Sequence, residues 1–363
     1  MDKIKIFALY LPQFHTIPES DEWWGKGFTE WTNVKKAKPL FKGHNQPRVP
    51  LNDNYYNLLD DNTFKWQIDL AKKYGIDGFC FYHYWFNGKL LLEKPLENYL
   101  ADKDLDFPYF FSWANEPWAR TWDGQNTNVL MPQIYGGETD IINHFNYMLP
   151  FFKDSRYIKR DNKPLFVLYK SSSICYLEKF IEIWNTMSIK NGFDGVFFIE
   201  TLNLTNPSKI SPNTNGSFYF EPSWIHGRFD NIFERVLKRL HIIPPNILPY
   251  QKIWKRIIKK EQISETQYAG CFLDWDNSPR KGNCGLIYKG TSTNIFDYYF
   301  REQLKKMRKQ KCPYIFINAW NEWCEGTYLE PDTKNRYSFL QAISEAKKSL
   351  ILYDETLGHH SNI

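Results

Sequence analysis

Eight apolar, β-prone runs recur along the chain: Ile4 to Leu11, Gly78 to Tyr82, Tyr109 to Trp113, Pro164 to Tyr169, Gly195 to Ile199, Ser217 to Phe220, Tyr268 to Leu273 and Tyr314 to Ile317. Runs without polar alternation are the mark of strands covered on both faces, as in parallel sheets. Segments with helical spacing of apolar residues separate most of them. They are expected over Asn62 to Tyr74, where Gly75 is the stop, from about Glu93, around Ile142 to Phe152, and over Tyr176 to Asn191, Asn294 to Lys309 and Ser338 to Leu352. This alternation predicts a (β/α)8 TIM barrel, a single domain over residues 1–363 with elaborated loops at the carboxyl ends of the strands. A doubly wound sheet would want a glycine-rich loop after the first strand, and Leu-Pro-Gln-Phe-His15 is not one.

In such barrels the chemistry lies at the carboxyl ends of the strands. Here those ends carry His15, His83, Glu116, Glu200, Glu221, Asp274 and Glu322. The last strand turns abruptly polar: Asn318, Asn321, Glu322, Glu325, Glu330 and Asp332 are interleaved with Trp320, Trp323 and Tyr328. Carboxylates beside aromatic faces are the ingredients of a sugar-processing site, because glycoside cleavage needs one carboxyl to protonate the departing oxygen and another to assist at the ring. Glu322 and Glu325 are therefore the catalytic candidates; the competing reading is a loop whose acids cap the next helix. The substrate-binding candidates are Glu116, His15, Tyr82, His83, Trp85, Asn115, Trp118, Arg120, Glu200, Asp274, Asp276, Asn321 and Trp323. Glu116 either contacts substrate or pairs with Arg120. Asp274-Trp-Asp276 superficially resembles the Asp-x-Asp of metal- and nucleotide-sugar-dependent transferases, but without a nucleotide fold it reads as rim carboxylates, a sugar subsite with Arg280. His15 and His83 each read as a hydrogen-bonding substrate contact or a satisfied near-core histidine; neither has a third ligand at metal spacing, so no metal and no cofactor are expected.

The chain is 18% aromatic, with Trp 14, Tyr 23 and Phe 28, more than a core requires, and some of these residues are expected to line a groove. Trp23, Trp24, Trp31, Trp85, Trp118 and Trp122 fall in loops above the barrel. A net charge of +5 is too weak to argue for nucleic acid. The basic residues collect over Arg228 to Lys260 and Arg301 to Lys311. The first reads either as an amphipathic patch for peripheral contact with a membrane or a lipid-linked glycan, or as a solvated insertion packed on the barrel, which is favoured. The second reads as the solvent face of a barrel helix. Cys80, Cys175, Cys271, Cys284, Cys312 and Cys324 show no CxxC pair, which suggests reduced thiols. With no apolar h-region and no bilayer span, the sequence reads as soluble and cytoplasmic.

Six motifs in order, Leu-Pro-Gln-Phe-His15, Gly-Phe-Thr-Glu-Trp31, Tyr-His-Tyr-Trp-Phe86, Asn-Glu-Pro-Trp118, Asp-Trp-Asp-Asn277 and Asn-Glu-Trp-Cys-Glu-Gly-Thr327, make the chain resemble the WbsX-type proteins over about residues 3 to 350. These are labelled glycosyltransferases and also described as glycoside hydrolase family 99-like. More distantly, the last motif is similar to the Asn-Glu-Trp-His-Glu-Gly-Thr segment of family 99 endo-α-mannosidases, which are (β/α)8 barrels. The resemblance implies that Glu322 is a base on a sugar 2-hydroxyl that itself attacks the anomeric carbon, and that Glu325 is the general acid/base. Cys324 stands in place of the histidine, and Asn-Glu-Pro-Trp118 in place of Ile-Glu-Pro-Tyr, which puts the mannose specificity in doubt. The expectation is a retaining glycoside hydrolase or transglycosidase on a bacterial surface polysaccharide. A glycosyltransferase of O-antigen, lipopolysaccharide or capsule assembly is the alternative, and a non-catalytic glycan-binding barrel the third reading.

Overall fold

The computed structural model describes residues 3–119, 129–226 and 246–360. The eight expected strands form: β1 (Lys5–Tyr10), β2 (Gly78–Phe86), β3 (Tyr109–Trp113), β4 (Lys163–Leu168), β5 (Phe197–Leu202), β6 (Gly216–Tyr219), β7 (Gln267–Phe272) and β8 (Tyr314–Asn318). Each pairs in parallel with the next in chain order, and β1 pairs with both β2 and β8, so the sheet closes on itself. Closure leaves no strand edge to be satisfied by solvent. It also points every strand's carboxyl end to the same mouth.

The barrel is filled by aromatic rings. Phe316 of β8 stacks on Phe218 of β6 with centroids 4.0 Å apart, and Phe7 of β1 meets Phe110 of β3 at 5.0 Å and Phe316 at 5.8 Å. All four are at most 2% exposed, so this layer is a packed plug and not a channel. Truncating one of these phenylalanines to alanine would cost about 3–5 kcal/mol.

Helices α1 (Asp61–Tyr74), α2 (Lys94–Ala101), α3 (Gly137–Lys153), α4 (Leu177–Lys190), α5 (Tyr250–Lys260), α6 (Thr293–Lys309) and α7 (Ser338–His360) wrap the outside. Gly75 ends α1 as expected, its left-handed backbone (φ 81°) letting its N–H reach the carbonyls of Ala71 and Lys72. Residues 203–215 join β5 to β6 without a helix, where the sequence showed no helical spacing. One expectation needs correction: the stretch read as a basic insertion contains a barrel helix, in which Tyr250, Ile253, Trp254 and Ile257 of α5 recur at helical spacing and are buried, with Trp254 stacked on Phe272 of β7 at 5.5 Å. Its lysines are the solvent face of that helix, and residues 227–245 of the stretch lie outside the described set. No helix among the described residues is long and apolar enough to cross a membrane. All six cysteines are free, with Cys80, Cys271, Cys312 and Cys324 buried.

Candidate active site

The segment after β8 folds into a tight hairpin in which Asn321–Glu322 pairs antiparallel with Thr327–Tyr328. Between them Trp323–Glu325 makes a single 3-10 turn ended by Gly326 at φ 69°. Side chains three residues apart eclipse on a 3-10 turn, so Glu322 and Glu325 are delivered to one side. Gly326 is needed twice over, for its left-handed backbone and because a β-carbon there would stand 2.9 Å from the Arg48 guanidinium.

Buried polar contacts fix this hairpin. Glu330 accepts from the indole N–H groups of Trp320 (3.0 Å) and Trp323 (2.7 Å), the amide of Gln67 (2.7 Å) and the hydroxyl of Tyr56 (3.0 Å). Burial still raises its carboxyl to about 7 against those four donors. Asn321 accepts from the Leu11 N–H at 2.8 Å and donates to the Leu11 carbonyl at 3.0 Å, tying the hairpin to the end of β1. Trp323 is stacked on Tyr328 at 3.7 Å beneath the turn. Asn321 and Trp323, expected to touch substrate, hold the catalytic candidates in place instead; neither lines the cleft.

One guanidinium gathers the charge. Arg280, on the short helix Ser278–Lys281 beyond β7, donates from Nη1 to Glu325 at 2.8 Å and from Nη2 to Glu322 at 3.3 Å and Glu30 at 3.0 Å. Glu30 opens the helix Glu30–Lys36 in the loop after β1 and is 0% exposed. Cys324, between the two glutamates in sequence, turns the other way and its thiol meets the Glu30 carbonyl at 3.3 Å. The carboxyl of Glu322 is held well above the ordinary range by burial and then by the Glu325 charge, against the pull of Arg280. That of Glu325 is raised by burial, with Arg280 opposing and Glu30 adding to the rise.

Glu322 and Glu325 lie in the wall of a cleft of about 560 Å³ at the mouth of the barrel, together with Arg280, Glu116, Tyr82, Tyr84, Trp118, Tyr169 and Trp275. Glu116 and Glu322 therefore face one cavity. The cleft is walled with aromatic rings: Trp118 meets the Tyr84 ring edge-on at 5.2 Å, and Trp24 stands beside Trp118 at 6.2 Å. Flat apolar faces with few polar groups suit pyranose rings.

Strand alternation sorts the motif of β2. Tyr82 and Tyr84 point into the cleft, while His83 and Trp85 point outward against α3. His83 Nε2 lies 2.9 Å from His144 Nε2, and burial lowers its ring to about 3. The Trp85 indole donates to Asp140 at 2.8 Å and its ring stacks on His144 at 4.7 Å. These two expected contacts are core residues, and Tyr84 and Tyr169, which the sequence reading omitted, take their place.

Most of the other expected contacts also lie outside the cleft wall. His15 is 2% exposed and lowered to about 4 by burial. Asn115 accepts from the Lys170 N–H at 2.8 Å and donates to its carbonyl and to Tyr135, each at 2.9 Å. Glu200 is buried inside β5, not at its end, and accepts from Ser171, Thr214 and the N–H groups of Ile210 and Ser211, which organises the helix-free crossover. Asp274 binds Arg48 at 2.7 Å and Thr291. Asp276 accepts from His44 (2.8 Å) and Gln46 (2.6 Å); although burial opposes it, these donors with Arg48 and Ser278 hold its carboxyl down at about 2. Both aspartates thus fasten residues 44–48 beneath the Glu325–Gly326 turn, where the Arg48 guanidinium also donates to the Gly326 carbonyl at 3.0 Å. Glu116 does reach the cleft, 41% exposed, and its partner is Lys170 at 3.2 Å. Arg120 and Trp122 lie outside the described residues. Among the described residues no group of three or more His, Cys, Asp or Glu side chains could hold a metal ion.

Set beside known proteins, the fold is similar to the GH99 endo-α-mannosidase of Bacteroides thetaiotaomicron solved with bis-tris-propane, at a TM-score of 0.61 and 13% identity over 97% of this chain and 98% of that one. A structure described as a glycoside hydrolase-like protein gives a TM-score of 0.60 at 13% identity, covering 95% of this chain and 94% of its own. In sequence, the chain is 32% identical over 348 residues to the uncharacterized protein WxcX of Xanthomonas campestris pv. campestris. That alignment covers 94% of this chain and 49% of WxcX, so the chain spans about half the length of this relative. Residues 6–343 match the family described as glycosyltransferase WbsX, and the chain belongs to that family.

Proposed function

We propose that this carbohydrate-active enzyme is a retaining glycoside hydrolase or transglycosidase acting on an oligo- or polysaccharide of the bacterial surface. The observation that carries the reading is the placement of Glu322 and Glu325 on the two terminal nitrogens of one arginine, in the wall of an aromatic cleft. Two carboxyls that share one counter-charge, both raised by burial, do not ionise at the same pH, and acid–base division of labour asks for that separation. Glu322, deeper and at the strand end, is the base that draws the proton from a sugar 2-hydroxyl. That oxygen closes on the anomeric carbon from the face opposite the leaving group. Glu325, 23% exposed on the cleft side, gives its proton to the departing oxygen and afterwards takes one from the incoming water or acceptor hydroxyl, which attacks the anomeric carbon and breaks its bond to the 2-oxygen as Glu322 returns the proton to that oxygen.

The family description favours a second reading, transfer from a nucleotide sugar. The carboxylates that such a reaction would offer to a metal-bound diphosphate, Asp274 and Asp276, are already occupied by Arg48, His44 and Gln46. That occupation supports hydrolysis or transglycosylation over nucleotide-dependent transfer. The test is a panel of natural and synthetic glycans incubated with the protein, products followed by ¹H NMR of the anomeric signal. Release with retained configuration supports the reading; an inverted product, or turnover only with a nucleotide sugar, removes it.

A further inference from the structure

The loop after β1 brings a third carboxylate to the pair that no substrate can touch. Glu30 is 0% exposed and forms no part of the cleft wall. Its Oε2 takes the Arg280 Nη2 at 3.0 Å, closer than the 3.3 Å at which the same nitrogen reaches Glu322. Its Oε1 is buried with no hydrogen-bond partner. Isolated burial of a carboxylate is costly, and leaving one oxygen bare adds to the cost. One cation facing three carboxylates leaves the group short of positive charge if all three are ionised.

We propose that Glu30 is a positioning residue of this site: by occupying Arg280 from behind, it locks the guanidinium between Glu322 and Glu325 and keeps a proton on the pair. The inference rests on the reading of Glu322 and Glu325 as the acid–base pair. Arg280 pulls both glutamates toward the ionised form, against burial, and a fully ionised pair holds no proton for the leaving group. Glu30 removes part of that pull and adds its own repulsion. Among the described residues the other charged and titratable groups facing the pair are Lys281 and Arg280 from beyond β7, Tyr82 and Tyr84 from β2, Tyr169 from the end of β4 and Cys324 from the turn itself, with Glu116, His226 and Tyr288 in the wall of the same cleft. Of these, Lys281 and Arg280 are cations; the Glu116 carboxylate lines the cleft but is engaged by Lys170, whereas Glu30 stands outside the cleft wall and shares Arg280 with the pair.

The sign of the effect follows. Replacing Glu30 by glutamine takes away a negative charge and frees Arg280 for the pair; both changes favour ionised Glu322 and Glu325, so both carboxyls titrate at lower pH. The experiment is carboxyl ¹³C NMR of protein labelled at glutamate Cδ, titrated with pH, with Glu322→Gln and Glu325→Gln used to assign the two resonances. In Glu30→Gln the midpoints fall by about one unit or more. In Glu30→Asp, whose carboxylate stands one bond farther from the guanidinium, they fall by less. A purely structural Glu30 would lower the melting temperature and leave the midpoints where they are; unmoved midpoints in folded Glu30→Gln overturn the proposal. Should Glu30→Gln not fold, unmoved midpoints in Glu30→Asp overturn it equally. The readout needs no substrate. Shifted midpoints in a protein that cleaves no glycan would leave this inference standing and remove the glycosidase reading.

Discussion

The indole N–H of Trp323 donates to the buried carboxylate of Glu330 at 2.7 Å, across the hairpin that carries both catalytic candidates. Glu330 touches no part of the cleft, yet four side chains from the loop after β1, from α1 and from the hairpin converge on it. Glu330→Gln turns one acceptor oxygen into a donor facing two donors. Stranding buried donors costs about 1–3 kcal/mol each, so the variant should be less stable by about 2–6 kcal/mol. Urea denaturation checks this, and a change under 1 kcal/mol would show that the network does not brace the turn.

Variants of the pair should separate by leaving group. Glu325→Gln removes the proton donor and should slow cleavage of a natural glycan by about 10²–10⁴-fold, with a smaller loss on an activated aryl glycoside that needs no protonation. Glu322→Gln should slow both substrates alike, because attack at the ring is blocked in either case. Steady-state kinetics on the two substrates decide the assignment, and near wild-type turnover by Glu325→Gln on the natural glycan would remove it.

The Trp118 ring forms one wall of the cleft beside Tyr84. If that face carries a sugar ring, Trp118→Ala should raise KM by roughly tenfold, the loss of about 1.4 kcal/mol of apolar contact, while kcat changes little. Glu116→Gln, at another position of the cleft wall, should lower binding and turnover together. An unchanged KM in Trp118→Ala would move the glycan away from this wall.

The outward side of β2 predicts acid sensitivity. His83 is lowered from the ordinary 6.5 to about 3 by burial, and His144 beside it is also lowered. Below pH 6.5 the unfolded chain binds protons that the folded one refuses. The stability these groups contribute is fully present above about 6.5 and is lost as pH falls toward 3, by about 1.4 kcal/mol per pH unit for each ring. Denaturation followed between pH 7 and pH 4 should show that slope. His83→Gln, which still offers a donor to His144 and does not titrate, should flatten it by one ring's share.

The barrel was legible because its strands are continuous apolar runs, and the catalytic candidates because two carboxylates follow the last run at a spacing of one 3-10 turn. A polar residue at a strand end does not by position alone face the cleft. In β2 the period of two puts Tyr82 and Tyr84 in the cleft and turns His83 and Trp85 to α3. That signal was present in the alternation and required only a decision about which face is inner. Glu200 looked terminal because Gly195 to Ile199 looked like the whole strand; β5 extends to Leu202, which moves Glu200 inside. The Glu30–Arg280 contact spans 250 positions, and nothing local in either neighbourhood announces it. Glu30 stood in one of the recognisable motifs, the one hint at its importance.

The three carboxylates and their arginine come from the loops after β1, β7 and β8, the strands that meet where the last pairs with the first. A ribosome exposes Glu30 long before Arg280 or Glu322 exists, so the acidic residue waits in water for a partner that arrives with the final quarter of the chain. The charge cluster therefore exists only where the cylinder is shut, and its titration behaviour doubles as a gauge of that closure.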